Sequence, residues 1–213
     1  NYWWVMNDKG NIHTETGADP IGMEIRAQAF AFASNDEINN MTFYNYELIN
    51  RGTQTLYNTY FGFFTDGALG DPYDDYVGCD VNRGLGYYYN GDNYDGDNSG
   101  FKGYGYSPPA VGVDFFEGPY QDNDGIDNAF GIWDNEALNG IGYGDGVVDN
   151  ERFGMRRFLY YSNTTNGANP NQTDPVNAGD YYNYLRGFWK DGTKFVYGGS
   201  GHISDPEADP NMP

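Results

Sequence analysis

The sequence contains few of the residues on which many catalytic and structural sites depend. It has a single cysteine, Cys79, so no disulfide bond can form within the chain. It has only two histidines, His13 and His202, both in polar segments. Zinc sites are built mainly from cysteine and histidine, and the H-E-x-x-H and G-x-S-x-G motifs are absent. These absences argue against zinc chemistry and against the common nucleophilic hydrolases.

Positive charge and long apolar runs are scarce as well. Lysine and arginine total 11 against 31 aspartates and glutamates, which gives a net charge of −20. Residues 52–151 hold 18 acids and two bases, so −16 of this charge lies in less than half of the chain. Because so few cations could neutralise phosphates, we expect no binding to nucleic acid. No apolar run of 18 residues occurs, so we expect no membrane span in this chain.

Aromatic residues, in contrast, are abundant. They make up 18% of the chain, with 21 tyrosines, although hydrophobic residues as a whole reach only 38%. Such a chain can bury enough apolar surface to fold, and 213 residues suit one large domain. We expect a single domain over residues 1–199, with insertions at 66–100 and 117–152. Residues 200–213 are expected to form an extended tail or linker.

Hydrophobic periodicity predicts a mainly β fold. Alternation of period two predicts a strand at 22–34, and other runs bounded by turn residues predict strands at 2–7, 41–50, 55–65, 85–90, 111–116, 155–162 and 193–197. The segments 41–50 and 55–65, joined by a glycine turn, give the clearest hairpin. Helical spacing over 180–190, with Asp180 as the N-cap, predicts one short helix near the C-terminus. We therefore expect an antiparallel two-sheet sandwich, jelly-roll-like, with long Asp/Gly-rich calcium-binding insertions.

The first insertion is dense in carboxylates. Residues 66–97 contain eight aspartates and one base, Arg83, separated by glycines that permit tight turns. Hard oxygen ligands on a flexible loop suit Ca²⁺, and the alternative is a solvated acidic loop. The predicted metal ligands of this insertion are Asp66, Asp71, Asp74, Asp75, Asp80, Asp92, Asp95 and Asp97.

The second insertion contains two further acidic groups. Residues 122–128 read DNDGIDN and resemble the aspartate-rich calcium repeats of thrombospondin-type proteins over those seven residues only. They do not form an EF-hand, because Ile126 occupies the third ligand position and no glutamate stands at the twelfth. Residues 145–151 have suitable ligands at a less specific spacing, and hydrogen-bonded turns are the alternative. The predicted ligands here are Asp122, Asp124, Asp127, Asp145, Asp149 and Glu151.

Exposed aromatic side chains on these insertions are candidates for a binding surface. Amphipathic rings favour contacts with proteins or glycans, whereas the alternative is that they pack beneath their own loops. The predicted surface consists of Tyr73, Tyr76, Tyr94, Tyr120 and Trp133.

Several longer strings resemble one protein family. They include DPIGMEIRAQAFAF, NDEINNMTFYNYELINRGT, YFGFFTD, DDYVGCDVNRGLGYYYNGDN, PPAVGVDFFEGP, YGDGVVDNERFGM and YYNYLRGFWKDGT, which together run from about residue 19 to residue 199. They are similar to large, mostly uncharacterised Bacteroidota proteins that are exported by the type IX secretion system and carry a C-terminal sorting domain. That domain is not present in these residues. The resemblance implies an extracellular or outer-surface location and supplies no catalytic residues.

Three functions are open at this point. The first is a calcium-stabilised structural or adhesive surface module whose partners are other surface proteins or glycans, including copies of itself. The second is a carbohydrate-binding module attached to a catalytic domain elsewhere in the parent protein. The third is a glycoside hydrolase, since any two of the 31 acids could meet across a cleft. We expect that the chain is not an enzyme.

Overall fold

The structure is a computed structural model that describes residues 1–131, 139–163 and 169–212. Across these ranges the strands form three antiparallel sheets, and one α-helix lies near the C-terminus. The predictions of a mainly β chain and of a short C-terminal helix are therefore confirmed. The same ranges contain no helix long and apolar enough to cross a bilayer.

The first sheet has the order β1-β2-β3 and consists of Tyr2–Asn7, Met23–Ala31 and Thr42–Asn50. Alternation along β2 gives it an apolar face, on which the buried Ala27 stands in register between Trp4 and Tyr46. The opposite face carries Arg26, which pairs with Glu47 at 3.2 Å. Small residues in the central strand thus leave room for aromatic rings from both neighbours.

The predicted hairpin of 41–50 with 55–65 is wrong, because β3 pairs with β2 and residues 55–65 form no strand. The turn after β3 docks onto the start of β2, where Arg51 N donates to Gly22 O at 2.8 Å. Asn50 holds that turn by accepting from Gly52 N at 2.8 Å. The chain therefore leaves the sheet at this point instead of returning beside β3.

The second sheet has the order β4-β5-β8 and consists of Asp75–Asp80, Leu85–Asn90 and Ala110–Asp114. A short third sheet pairs β6, Tyr94–Asp95, with β7, Gly105–Tyr106. Strand β4 lies inside the segment that the sequence predicted to be a metal-binding loop. Its pairing with β5 brings the ring of Tyr87 over Gly78, where any side chain would overlap the ring.

Aromatic rings from outside the first sheet pack on both faces of its edge strand β3. Phe116 stacks on Phe43 with ring centroids 6.2 Å apart, on one face of β3. On the other face, Phe63 lies 6.3 Å from both Tyr44 and Tyr46 and 6.5 Å from Phe115. The expected two-sheet sandwich is therefore plausible but not closed among the described residues.

The helix α1 spans Ala178–Leu185, whereas the predicted range, 180–190, begins and ends closer to the C-terminus. Its N-cap is Asn177, whose side chain accepts from Asp180 N, whereas Asp180 was the expected cap. Asp180 instead lies in the first turn, where its carboxylate accepts from Val176 N at 3.0 Å. The helix ends early because Gly187, with φ of 74°, turns the chain away.

The best-buried residue of the C-terminal part is Trp189, which is 0% exposed. Its indole Nε1 donates to Gly201 O at 2.8 Å, and its ring contacts Tyr184, Phe195 and His202. This cluster packs the helix against the turns that follow it.

The strands predicted at 155–162 and 193–197 do not form. Their backbones make single bridges, such as Ser162 with Thr173 and Tyr197 with Asp209. Tyr197 N also donates to Met212 O at 2.8 Å. Residues 200–212 therefore fold back onto the preceding turn, unlike the extended tail that we expected.

The chain keeps a large surface for its size. Its accessible area is 14534 Å², whereas a compact protein of this mass exposes roughly 9,900 Å². Within the described ranges, the hydrophobic residues that are almost completely buried are Ala27, Leu69, Trp189 and Val196. The fold is consequently held by small local clusters and not by one extensive core.

Substitution of Trp189 tests the importance of the C-terminal cluster. We expect Trp189→Ala to lower the free energy of unfolding by about 3–5 kcal/mol, because it removes a fully buried ring. The milder Trp189→Phe keeps a ring but loses the bond to Gly201, at a cost of about 1 kcal/mol or more. Urea denaturation measures both.

Trp3→Ala is the matched control, since Trp3 is 66% exposed, and its effect should stay within about 0.5 kcal/mol. Equal losses at Trp189 and Trp3 would show that the C-terminal cluster is not a separate stabilising unit.

Candidate metal centre

Two loop segments, 117–131 and 139–152, are joined by a short ladder. Arg152 bridges both Tyr120 and Ile141, and Gln121 N donates to Glu151 O at 2.9 Å. The guanidinium of Arg152 lies 3.9 Å from the centre of the Tyr120 ring. This ladder places the acidic residues after Gln121 beside those before Glu151.

Three carboxylates converge at the end of the ladder. Asp122, Asp124 and Asp149 each offer one oxygen, and these oxygens lie within 4.8 Å of one another. We call this group the Asp122 cluster. Asp122 and Asp124 are exposed and Asp149 is half-buried, so solvent reaches the group. Three oxygens at this separation could hold a metal ion.

Backbone donors fix two of the three carboxylates. Asp124 accepts from Ile126 N at 2.8 Å, and Asp149 accepts from Gly125 N at 2.8 Å. Asp149 has φ of 58°, a conformation that aspartate tolerates better than most residues. Asp124 is therefore held by a local turn, and Asp149 is held by a bond from the opposite loop.

The electrostatics of the cluster disfavour three charged carboxylates. The pKa of Asp122 is raised, first by partial desolvation and then by the negative charges of Asp124, Glu151 and Asp149. Arg152, the base on the same ladder, pairs with Glu117 at 3.6 Å and donates to Gly118 O at 3.1 Å. A bound cation would offset the electrostatic repulsion among the three carboxylates of the Asp122 cluster.

The other predicted ligands of this insertion have different contacts. Asp127 accepts from Gly144 N at 2.8 Å and from Gly146 N at 2.6 Å. Hydrogen bonds from Asn150 and from Val147 N lower the pKa of Asp145. Glu151 is buried and accepts from Asn128 N. These three carboxylates fasten the loops around the Asp122 cluster and are not members of it.

Four predicted ligands of the first insertion are spread over the surface. Asp80 pairs with Arg83, and Asp97 pairs with Lys102 at 2.6 Å; these partners lower the pKa of each aspartate. Asp92 accepts from Tyr94 N at 2.7 Å, and Asp66 is exposed. The structure does not bring these four together.

The remaining four, Asp71, Asp74, Asp75 and Asp95, lie close to one another. Asp95 is buried and accepts from Asp71 N at 3.1 Å and from Tyr104 N at 2.7 Å. Burial raises the pKa of Asp75; the N–H of Leu69 opposes this rise, and the charges of Asp74, Asp95 and Asp71 add to it. These residues join the loop before β4 to strand β6.

The predicted binding tyrosines are exposed but not isolated. Tyr73, Tyr76, Tyr94 and Tyr120 are each more than half exposed. Each also touches a neighbouring side chain, as Tyr94 touches Tyr106 with ring centroids 4.8 Å apart. Trp133 lies outside the described residues. The rings therefore combine an accessible face with a packed one.

One shallow, open depression of about 650 Å³ lies beside Tyr94 and Tyr104, with Asp95, Asp97 and Lys102 at its wall. Both oxygens of Asp95 accept backbone hydrogen bonds, and Asp97 is held charged by Lys102. Because Lys102 lowers the pKa of Asp97, that carboxyl is poorly suited to be the protonated acid that glycoside hydrolysis needs. The aromatic walls remain suited to stacking on a sugar ring.

Sequence reasoning missed a buried histidine. His202 Nε2 lies 2.9 Å from Asp191 Oδ2, and His202 Nδ1 lies 2.7 Å from Ser204 Oγ. Ser204 N also donates to Nδ1 at 3.1 Å, as in a local turn. The arrangement secures the loop beneath Trp189, and no spacing motif in the sequence marks it.

Comparison of the chain with protein-family models, with curated proteins and with solved structures returned no match.

Two substitutions at Asp149 separate its charge from its hydrogen bond. In the presence of a chelator, we expect Asp149→Asn to be at least as stable as the parent protein. The amide oxygen can still accept from Gly125 N, and one repelling charge is gone. Asp149→Ala should lose about 2 kcal/mol, since it forfeits that bond and strains the left-handed backbone. Chemical denaturation compares the two, and equal losses would show that the carboxylates do not repel each other.

Proposed function

We propose that the chain is a calcium-stabilised structural or adhesive module of a larger extracellular or cell-surface protein. Its role is to present a rigid loop surface to other surface proteins or glycans, including other copies of itself. The observation that carries this proposal is the Asp122 cluster, in which three carboxylates meet without a neutralising base.

The choice of calcium follows from the ligands. Oxygen donors on glycine-rich turns tolerate the irregular, high coordination numbers of Ca²⁺, whereas Mg²⁺ requires nearly octahedral geometry. A cation at the Asp122 cluster would tie the ends of the loops 117–131 and 139–152 together, at the position where the Arg152 ladder stops.

The choice of surface presentation follows from the exposed area and its chemistry. The chain keeps 14534 Å² accessible and displays many large aromatic side chains. Large exposed apolar patches commonly mark interaction sites. The resemblance to exported Bacteroidota proteins supports an extracellular setting, where millimolar calcium is available.

Carbohydrate binding is the second candidate. The depression beside Tyr94 and Tyr104 supports it, since aromatic walls with adjacent charged groups can stack on and hydrogen-bond to a sugar. Loss of glycan binding in Tyr94→Ala and Tyr104→Ala, with protein association unchanged, would favour this candidate over adhesion.

Calcium should raise the thermal stability of the chain. A site that binds only the folded state adds about 2.7 kcal/mol at 100 times its dissociation constant. We expect Asp124→Asn to reduce the calcium-induced rise in Tm, because the amide keeps the bond to Ile126 N but loses the ligand charge. Differential scanning calorimetry with calcium, magnesium or chelator measures the rise.

Asp97→Asn is the matched control, since Asp97 is an exposed loop aspartate already paired with Lys102. Its calcium response should equal that of the parent protein. Identical melting with calcium and with chelator in the parent protein would refute the calcium proposal.

The surface role predicts calcium-dependent association. We expect Tyr73→Ala, Tyr76→Ala and Tyr94→Ala together to weaken self-association or glycan binding at least several-fold, as measured by light scattering and pull-down. Tyr197→Ala is the control, because Tyr197 is also 70% exposed but lies outside the acidic loops. Turnover of a polysaccharide by the chain, abolished by one Asp or Glu substitution, would place the function in a different class.

A further inference from the structure

A second group of oxygens lies on the second sheet, separate from the Asp122 cluster. Asp75 is the first residue of β4 and stands in register with Asn90, the last residue of β5. Residues paired in this way project their side chains from the same face of an antiparallel sheet. Asp74 precedes Asp75 and is tied to the same strand end, because its carbonyl accepts from Gly91 N at 2.8 Å.

Three oxygens of this group have no hydrogen-bond partner within the protein although they are buried. They are Asp74 Oδ1, Asp75 Oδ1 and Asn90 Oδ1. The side chain of Asn90 is among the best buried polar groups, with 8% of its residue surface exposed, and its amide nitrogen donates to Asp92 O at 3.2 Å. That bond orients the amide, so the oxygen that lacks a partner faces away from Asp92.

Buried oxygens without donors are costly, and two of these belong to carboxylates. Arg83 and Lys102, the bases of residues 52–151, pair with Asp80 and Asp97 and not with this group. The partners that Asp75 does have, such as Leu69 N at 2.8 Å, occupy its other oxygen. This group therefore contains more hydrogen-bond acceptors than the surrounding residues have donors to satisfy.

The surrounding loop is built to hold this group tightly. A Cβ at Gly70, which has φ of 71°, would overlap Asp95 Oδ2, so the loop before β4 can approach β6 only with glycine at this point. The buried Asp95 accepts from Asp71 N and from Tyr104 N, which fixes the loop against the third sheet. The loop that precedes Asp74 and Asp75 is thus held against the third sheet.

We propose that Asp74, Asp75 and Asn90 form a second cation site, here called the Asp75 centre, that takes one Ca²⁺ ion. Two carboxylate oxygens and one amide oxygen are hard ligands of the kind that calcium prefers, and nearby backbone carbonyls can extend the shell. Among the described residues, three carboxylates lie within 4.8 Å of one another only at the Asp122 cluster. The third side-chain ligand of the Asp75 centre is therefore the amide of Asn90 and not a carboxylate. The proposal does not depend on the Asp122 cluster.

Binding stoichiometry tests the Asp75 centre. Isothermal titration of the metal-free chain with Ca²⁺ should give two sites in the parent protein. Asp124→Asn should keep one site, and adding Asp75→Asn to it should remove that site or weaken its affinity at least about 10-fold. Asp75→Asn can still accept from Leu69 N through its amide oxygen, so the fold is preserved.

Asp97→Asn, added to Asp124→Asn, is the control and should leave one site. If Asp124→Asn alone abolishes all binding, the Asp75 centre is overturned while the Asp122 cluster stands. If Asp75→Asn abolishes binding and Asp124→Asn does not, the Asp75 centre stands and the Asp122 cluster fails.

A proton shared between the two carboxylates is the competing explanation of the same geometry. In that case Asp75→Asn would leave the calcium stoichiometry unchanged and would stabilise the chain at pH 7 but not at pH 5. Such a result would also overturn the proposal.

Discussion

The hydrogen bond from a backbone N–H group to a carboxylate is the interaction on which most loops of this chain depend. With 31 acids and 11 bases, most aspartates cannot find a salt bridge. They accept from the backbone instead, as Asp95, Asp127 and Asp149 do. Each such bond fixes a turn and satisfies one carboxylate, but it does not cancel the charge. The arrangement that builds the loops therefore also gathers like charges, and cations are the simplest means of balancing them.

The residue pattern predicted strands correctly where neighbouring residues in the sequence determine the structure. Alternation located β2, whereas runs rich in apolar and aromatic residues located β3 and β5. The residue pattern failed for residues 55–65, whose sequence is as strand-like as that of β3. Among the described residues β3 pairs only with β2, and residues 55–65 do not form a strand on its other edge. Strand propensity alone therefore does not decide whether a segment joins a sheet.

The candidate site shows the same division. The spacing of Asp122 and Asp124 around a glycine turn identified two of the three members of the Asp122 cluster, and Asp149 was predicted as a ligand of a separate group. Asp149 lies beside them only because the Arg152 ladder brings its loop alongside. Asp127, Asp145 and Glu151 instead accept hydrogen bonds from backbone N–H groups. Asn90 was not singled out at all, since its importance depends on strand register with Asp75. The sequence shows how many oxygen ligands the chain contains, but the fold determines which of them lie close together.

The unusually large accessible area has a consequence for thermodynamics. An extended chain of this mass exposes roughly 35,000 Å², so the folded chain, with 14534 Å² accessible, buries a smaller share of it than a compact domain would. The heat capacity increment and the denaturant m-value both scale with the area exposed on unfolding. Both should be about one fifth smaller than for a compact protein of equal length, which calorimetry can measure directly. The curve of stability against temperature is then flatter, and each ion bound in the native state moves the melting temperature further than it would in a conventional globular domain.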